Sequence, residues 1–242
     1  MQGISILVPT RKHVVNLERL AKSINDTTDI CKRVEIVFGV DEDDNESKAK
    51  VDELKCELQV DIVITKTIPW TDGGVNLSSL WNQCYKASKH SIVGSFGDDV
   101  IFQTKGWDSL VIDTFSQDKF ILLCCNDLHL KGKLATEFFT HKQVHAAFGF
   151  YFYEKFRRWY PDALLDSIFR ISDKLIYRED MVMGHYFCNT VDGADEVYQR
   201  MDQFKEADGI LWNSVETEEK INQCIAILKE LERLHLDRTT LF

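Results

Sequence analysis

The chain has 242 residues, 44% of them hydrophobic and 28% charged, so it can bury a sizeable core and is not a disordered protein. Thirty-nine acidic residues against 29 basic ones give a net charge of −10, which disfavours a protein that binds nucleic acid by neutralising phosphates. The most apolar stretches are far shorter than the ~20 residues of a membrane helix, and no secretory leader is visible, so we expect a soluble cytoplasmic protein. The seven cysteines lack C-x-x-C spacing and are predicted to be buried, reduced thiols.

The first half of the chain alternates strand and helix patterns. Apolar, β-branched runs predict strands at 4–8, 34–40, 60–65 and 91–96. Helical spacing predicts helices that begin behind Asn16 and Asn76 as N-caps, and a polar helix over 47–58. This alternation predicts a largely parallel sheet with helices on both faces, because parallel strands buried on both sides are continuous apolar runs.

The second half is less regular. We predict a helix at 107–115, a fifth strand at 120–125, an aromatic-rich segment at 138–160, a helix opened by Asp162, short strands at 174–177 and 181–187, and a long amphipathic helix from Glu216. That last helix needs a partner surface, and a homo-oligomer contact is one possibility. No linker divides the chain, so the fold class we predict is α/β, as one domain with an irregular C-terminal portion.

Acidic residues follow two of the predicted strands. Asp41 and its neighbours come after the second strand, and Gly97-Asp98-Asp99 comes after the fourth. The carboxyl ends of parallel strands meet at one edge of a sheet, where ligands bind in α/β proteins. Adjacent carboxylates repel one another unless a cation or hydrogen bonds offset the charge, and such oxygen ligands suit Mg²⁺ or Mn²⁺ carrying a diphosphate. The alternative is that Asp98 merely caps a turn.

An ordered set of motifs resembles glycosyltransferase family 2, whose members transfer sugars from nucleotide donors and have the GT-A fold. The matching segments are Ile4–Arg11 with Asn16–Leu20, Gly39–Asp44, Gly73-Gly74 with Leu77 and Asn82, Gly97–Val100 with Trp107, Trp159–Asp162, and His185. The similarity covers residues 4 to 190, and the series resembles the small family-2-like transferases of bacteriophages and other DNA viruses. It implies a Rossmann-like, mostly parallel sheet, with a nucleotide-sugar half at 1–125, an acceptor half at 126–215 and a C-terminal helix at 216–236.

The resemblance also implies roles for individual residues. The donor nucleotide would contact residues that follow the first strands and the glycine pair: Pro9, Thr10, Arg11, Asp41, Asp72, Gly73, Asn82 and Asp98. Asp98, Asp99 and His185 would hold Mn²⁺ or Mg²⁺ on the diphosphate. The first aspartate of the family's D-x-D segment is replaced by Phe96, so the metal site departs from the pattern.

Asp162 matches the family's catalytic base, although its position before an apolar-periodic helix also fits an N-terminal cap. His185 could instead be a hydrogen-bonded core histidine. On the acceptor side we expect four residues, namely Asp127, His129, Trp159 and Tyr160. His141 and His145 are spaced like a helical metal pair, but no H-E-x-x-H pattern accompanies them, so they are interpreted as structural.

These residues together predict a metal-assisted glycosyltransferase. Departure of the diphosphate requires charge stabilisation, and the acceptor hydroxyl must lose its proton to a carboxylate. One acceptor-side carboxylate favours inversion, because retention through a covalent intermediate needs a second carboxylate on the opposite face of the sugar.

The partners that we expect are a nucleotide-diphosphate sugar, a UDP-sugar first of all, and an acceptor that is a glycan or a modified nucleic-acid base. A virus-encoded protein would act in the host cytoplasm. A nucleotidyltransferase is one alternative, although the segment after the first strand lacks the glycines of a phosphate loop. A non-catalytic nucleotide-sugar-binding module is the other, and the missing D-x-D aspartate favours it.

Overall fold

A computed structural model describes residues 2–67, 76–186 and 202–239. Its strands are β1 (Ile4–Thr10), β2 (Val34–Asp41), β3 (Asp61–Thr67), β4 (Ile92–Ser95), β5 (Val100–Phe102), β6 (Leu122–Asn126), β7 (Phe138–His141) and β8 (Leu175–His185). Its helices are α1 (Val14–Thr27), α2 (Asn45–Glu57), α3 (Leu77–Ala87), α4 (Trp107–Gln117), α5 (Lys142–Phe148), α6 (Pro161–Ile171), α7 (Lys205–Trp212) and α8 (Val215–Thr239).

The strands of the described residues form one sheet in the order β3-β2-β1-β4-β7-β6-β8-β5. The pairs β1–β2, β2–β3, β1–β4 and β6–β8 are parallel, and β7 runs antiparallel between β4 and β6. The α/β class with a mostly parallel, helix-flanked sheet is therefore confirmed. Since β7 reverses direction between β4 and β6, the strands β1, β2, β4, β6 and β8 all point toward the same edge.

Two apolar clusters cover the two faces of this sheet. Alternate residues of β1 show the division, because Ile4, Ile6 and Val8 belong to one cluster and Leu7 belongs to the other. The first cluster includes buried residues of α1, α2 and α4, and the second includes those of α3, α5, α6 and α8. The C-terminal helix has the partner surface that its amphipathic pattern required, since its buried residues pack against α5 and α6 within the chain.

The structure differs from the sequence predictions mainly in the second half. The strands predicted at 174–177 and 181–187 are one strand, β8, and its pairing with β6 is irregular at Cys125/Asn126. The charged residues between them look like a turn in the sequence, but they continue the strand with Glu179 and Asp180 exposed to solvent. Residue 187 lies outside the described residues.

Two further strands were not predicted. β5 has only three residues directly after the aspartate pair, and β7 lies within the aromatic-rich segment. Such short strands form through pairing with distant residues, so local periodicity does not reveal them.

The positions at which the helices begin agree only in part with the sequence predictions. Asn76 caps α3 by accepting a hydrogen bond from the Ser79 amide at 3.0 Å, as predicted. Asn16 does not cap α1, because that helix begins at Val14 and Asn16 is buried within it. α6 begins one residue before Asp162, with Pro161 in its first turn and Tyr160 at the N-cap position. No helix of the described ranges is long and apolar enough to cross a membrane.

Candidate active site

The candidate residues gather at the edge of the sheet where β1, β2, β4 and β8 end. Arg11 follows β1, Asp41 ends β2, and Asp98 and Asp99 come three and four residues after β4. His185 ends β8, and Glu137 directly precedes the antiparallel strand β7, so both reach the same edge. The topology therefore brings together residues that are as much as 174 positions apart in sequence, from Arg11 to His185.

Arg11 neutralises the acidic cluster after β2. Its Nη1 lies 2.7 Å from Oδ2 of Asp41, which is buried, and its guanidinium also makes a bidentate pair with Asp43 at 2.6 and 2.9 Å. The hydrogen bonds to Asp43 and Asp41 raise the pKa of Arg11, and the Arg11 hydrogen bond lowers the pKa of Asp43 to about 2. A protein cation thus offsets the carboxylate repulsion at this strand end.

Asp44 joins the ends of β1 and β2. It accepts a hydrogen bond from the Lys12 amide at 2.6 Å, and Lys12 has a left-handed backbone with φ of 58°. It also caps α2 by accepting from the Ser47 amide at 3.1 Å. This carboxylate therefore fixes the turn that carries Arg11.

Asp98 contacts the opposite side of the β1 end. Its Oδ2 accepts a hydrogen bond from the Thr10 hydroxyl at 2.7 Å and lies 3.0 Å from Nδ1 of His13. Thr10, Arg11 and Asp98 thus lie next to one another at the end of β1.

Asp99 pairs with His185 across the sheet edge. Nε2 of His185 lies 3.1 Å from Oδ2 of Asp99, and the Asp99 carbonyl accepts a hydrogen bond from the Tyr186 amide. Gly97 leaves room for this arrangement, since a Cβ at that position would lie 2.6 Å from Oδ1 of Asp99. The glycine before the aspartate pair is therefore required by a close approach of side chains.

Glu137 is the residue that the sequence analysis missed. It is 4% exposed, its Oε1 lies 3.7 Å from Nδ1 of His185, and its Oε2 has no hydrogen-bond partner among the described residues. His185 therefore stands between two carboxylates, Asp99 and Glu137. The sequence carried no signal for Glu137, because its place depends on the unpredicted strand β7.

The surroundings of His185 and Glu137 favour the protonated form of both side chains near neutral pH. Burial lowers the pKa of His185, but the hydrogen bond to Asp99 and the charge of Glu137 outweigh burial and raise it to about 8. Burial raises the pKa of Glu137 to about 8 against the opposing charge of His185, with further contributions from Asp99, Asp127 and Asp162. A divalent cation that bound His185 would therefore displace a proton.

Asp162 lies in the first turn of α6 and close enough to Glu137 for its charge to raise the pKa of that residue. Its Oδ1 accepts a hydrogen bond from the Ala163 amide at 2.9 Å. Burial raises the pKa of Asp162, although the hydrogen bond from Ala163 acts in the opposite direction. A carboxylate with a raised pKa is a stronger proton acceptor than an ordinary aspartate.

The acceptor-side residues have structural partners. The Asp127 carboxylate accepts hydrogen bonds from the amides of His129, Leu130 and Lys131, so it shapes the loop after β6. Nε2 of His129 lies 2.6 Å from the His185 carbonyl oxygen, which brings this exposed ring beside the Asp99–His185 pair.

The two aromatic residues that the sequence analysis predicted for the acceptor side lie just before α6. Trp159 has the cations of Arg158 and Lys205 over its ring, each 5.2 Å from the centroid. Tyr160 stacks on Trp212, with ring centroids 5.2 Å apart.

The remaining donor-side residues differ in their surroundings. The side chain of Asn82 makes hydrogen bonds of 2.8 Å with the backbone of Phe152 and with Glu154, so it holds the 152–154 segment. Pro9 is part of β1, opposite Gly39. Asp72 and Gly73 lie outside the described residues.

The described residues supply only part of a binding site for a divalent cation. Among the described residues, no group of three His, Cys, Asp or Glu side chains is arranged to hold a metal. Phe96, at the position of the first D-x-D aspartate, is fully buried against Phe102 and Phe139 and presents no ligand. Asp99 and His185 nonetheless lie 3.1 Å apart at the sheet edge, and Mg²⁺ is commonly held by only one or two carboxylates together with substrate phosphates. The residues present therefore fit a metal that arrives with a diphosphate.

No family model and no curated protein matches the sequence. Solved structures do resemble it. TarS of S. aureus aligns with a TM-score of 0.60 and 12% identity over 94% of this chain, and this chain spans 43% of that one. TarS 1-349 in complex with UDP gives a TM-score of 0.61 at 12% identity over 94% of this chain and 70% of that one. Mannosyltransferase PcManGT from Pyrobaculum calidifontis, in complex with GDP-Man and Mn²⁺, aligns with a TM-score of 0.62 and 11% identity. The alignment covers 95% of this chain and 75% of that one. At this level of identity the likeness concerns the fold, and the chain has a GT-A-like α/β fold.

Proposed function

We propose that the protein is a glycosyltransferase that moves a sugar from a nucleoside-diphosphate donor to an acceptor hydroxyl, with inversion at the anomeric carbon. The observation that carries this proposal is the convergence of Arg11–Asp41, Asp98 and Asp99–His185 at the carboxyl edge of a GT-A-like sheet, with Asp162 close enough for its charge to act on Glu137. Ligand binding at this edge is the general rule for open α/β sheets.

The donor nucleotide is proposed to lie over the ends of β1 and β2. Thr10, Arg11 and Asp98 line that surface, and Asp41 is held there by the Arg11 guanidinium. TarS structures contain UDP or UDP-GlcNAc, and PcManGT contains GDP-Man, which supports a nucleotide sugar as ligand. A UDP-sugar is the donor that we expect. Asp72, Gly73 and Asn82 stay predictions as donor contacts.

Mn²⁺ or Mg²⁺ is the proposed cofactor. Asp99 and His185 would hold it, with Asp98 nearby, and donor phosphate oxygens would complete its coordination. When bound, the cation stabilises negative charge on the departing diphosphate. The Mn²⁺ in the mannosyltransferase neighbour supports this cofactor class.

Asp162 is proposed to take the proton of the acceptor hydroxyl. Burial raises its pKa, which suits a base that must be ionised at neutral pH and still accept a proton. Direct displacement needs only this one carboxylate on the acceptor side. The acceptor is proposed to be a glycan or a modified nucleic-acid base that approaches past His129, Trp159 and Tyr160, along the loop that Asp127 shapes. The comparisons do not support a resemblance to viral enzymes, since no family model or curated protein matches the sequence and the solved structures named above are from S. aureus and Pyrobaculum calidifontis.

The second candidate function is a non-catalytic nucleotide-sugar-binding module. The burial of Phe96 favours it, because this residue removes the first D-x-D ligand. Metal-dependent hydrolysis of the donor in the absence of acceptor separates the two candidates, since a binding module would leave the nucleotide sugar intact.

The test of donor binding is thermal unfolding with UDP, UDP-GlcNAc, GDP-Man and ATP, each with Mn²⁺ and with EDTA. A ligand at a hundredfold excess over its Kd stabilises the folded state by ~2.7 kcal/mol, so a donor should raise Tm clearly. We expect Tm to rise with the nucleotides of one base, uracil or guanine, and to rise more when Mn²⁺ is present. Mn²⁺ alone should leave Tm unchanged.

Two variants sharpen this experiment. Asp99→Asn should abolish the Mn²⁺-dependent part of the shift, whereas Asp113→Asn, an exposed aspartate of α4, should behave as wild type. Absence of a shift with every nucleotide would overturn the proposed function.

A further inference from the structure

The segment before α6 is held by a buried carboxylate of α7. Asp208 is 2% exposed and accepts hydrogen bonds from three successive amides, those of Arg157, Arg158 and Trp159, at 3.1, 2.9 and 2.8 Å. Successive backbone N–H groups that point inward form a concave anion-binding site. Here a side chain of the same protein fills that site.

The same helix makes two more contacts with this segment. The Tyr160 ring stacks on Trp212 with an interplanar angle of 11°, and the Arg157 guanidinium lies 4.0 Å from the centroid of the Phe204 ring at the start of α7. Asp208 and Trp212 are four residues apart and so share one face of α7. Residues on one face of α7 thus contact both ends of the 157–160 segment.

These contacts set the direction in which α6 begins. Tyr160 has a left-handed backbone with φ of 72°, which is unfavourable for a residue with a side chain and needs support from its surroundings. Pro161 follows, and its ring restricts the next φ, so the orientation of residues 157–160 passes directly to Asp162.

We infer that Asp208 is a positioning residue for Asp162, acting through the 157–160 segment; this inference rests on the proposed function, in which Asp162 is the base. Asp208 is buried, and its carboxylate is bonded to the backbone of this segment. Its loss would leave three inward-facing amides without their acceptor, and the first turn of α6 would lose its fixed direction. A displacement of about 1 Å at a base can cost ~100-fold in rate, because the reacting atoms must be aligned.

The test compares Asp208→Asn with Asp108→Asn. Asp108 is the control: it is fully buried in the first turn of α4 and accepts hydrogen bonds from three N–H groups, the successive amides of Asp29 and Ile30 and Nε of Arg33, with which it also forms an ion pair at 2.9 Å. Those residues follow the C-terminal end of α1, at the edge of the sheet opposite the candidate site. Both variants replace a carboxylate by an amide that cannot accept from every inward N–H group.

We expect Asp208→Asn to lower kcat for transfer ~10- to 100-fold with an unchanged KM for the donor and an unchanged donor-induced Tm shift. Amide hydrogen exchange at Ala163 and Leu164, in the first turn of α6, should become faster. Asp108→Asn should lose a similar amount of stability but keep kcat and the exchange rates of α6. Trp212→Leu removes the stacking partner of Tyr160 and should change kcat in the same direction, so the inference does not depend on one variant folding.

The outcomes distinguish this inference from the proposed function. A wild-type protein without donor-induced stabilisation or transfer contradicts the proposed function, and hydrogen exchange in α6 then decides alone whether Asp208 orients that turn. Equal kcat and equal α6 exchange in Asp208→Asn and Asp108→Asn would overturn the inference.

Discussion

Three aspartates at the carboxyl edge of the sheet have different partners. Asp41 pairs with a guanidinium, Asp98 with a hydroxyl and an imidazole, and Asp99 with a second imidazole. Because each negative charge has its own donor, the acidic residues can lie close together without a resident metal. A diphosphate with its cation would then bind beside Asp99 and His185 rather than in a cage of protein carboxylates.

The proposed base gives a prediction at the scale of one residue. Asp162→Asn keeps an oxygen that can accept the Ala163 amide hydrogen bond, but it cannot take a proton. Transfer should fall by ~10²- to 10⁴-fold, while donor binding, measured by the Tm shift with nucleotide and Mn²⁺, should not change.

The exposed substitution Asp113→Asn is the matched control for this variant. Transfer at the wild-type rate by Asp162→Asn contradicts a role as base. Loss of folding would instead indicate a structural role for the Asp162 carboxylate in the first turn of α6.

At the scale of elements, α5 shows how packing overrides a suggestive motif. His141 and His145 have the spacing of a metal pair, but Nδ1 of His141 accepts the Gln143 amide hydrogen bond, and His145 is buried edge-on against Tyr151. Burial lowers the pKa of His141 to about 4 and that of His145 to about 3. Both rings are therefore neutral structural groups, as the sequence analysis interpreted them.

These lowered pKa values predict acid sensitivity. Between pH 6.5 and about 3, the unfolded chain binds a proton at His145 that the folded chain does not, so the free energy of unfolding must fall as pH falls. His145→Asn keeps a donor for the Phe150 carbonyl but cannot titrate, and it should remove ~3 kcal/mol of the loss between pH 6.5 and pH 4 in denaturant titrations.

The control for this experiment is Val144→Ala, a buried change in the same helix that carries no titratable group. It should lower stability equally at every pH. An unchanged pH dependence in His145→Asn would contradict the prediction.

The strands show which elements local sequence can specify. The apolar runs of β1, β2 and β4 are recognisable because a parallel strand buried on both faces is mostly apolar along its length, with few exceptions such as Ser5 and Glu35. β5 and β7 are short and stabilised by their neighbours, and β8 crosses from a partly exposed to a buried environment within one strand. The first and last residues of these three strands are set by pairing with neighbouring strands, not by the periodicity of the sequence.

At the scale of the whole molecule, the two apolar clusters share one sheet. Leu20 of α1 lies in the first cluster and Leu228 of α8 in the second, and both are fully buried. Because the same strands contribute side chains to both clusters, we predict that the chain unfolds as one unit.

Leu20→Ala and Leu228→Ala test this prediction. Each should destabilise the protein by ~2–5 kcal/mol and shift one common transition, followed by near-UV and far-UV circular dichroism. Leu234→Ala, at a residue that is 44% exposed in α8, should change stability by ~0.5 kcal/mol or less. Two separate transitions, each shifted by only one of the buried variants, would show that the two halves are independent domains.

The sequence by itself determined the α/β class, the parallel arrangement of the first strands and the edge at which Arg11, Asp41 and Asp98 meet, because these follow from burial patterns and from the fixed direction of parallel strands. Only the tertiary structure decided the place of Glu137 beside His185 and the partner of each carboxylate. It also decided the hydrogen bonds between Asp208 and the segment before α6. These contacts join residues 30 to 88 positions apart, so they depend on strand order and helix packing, which no local pattern of residues encodes.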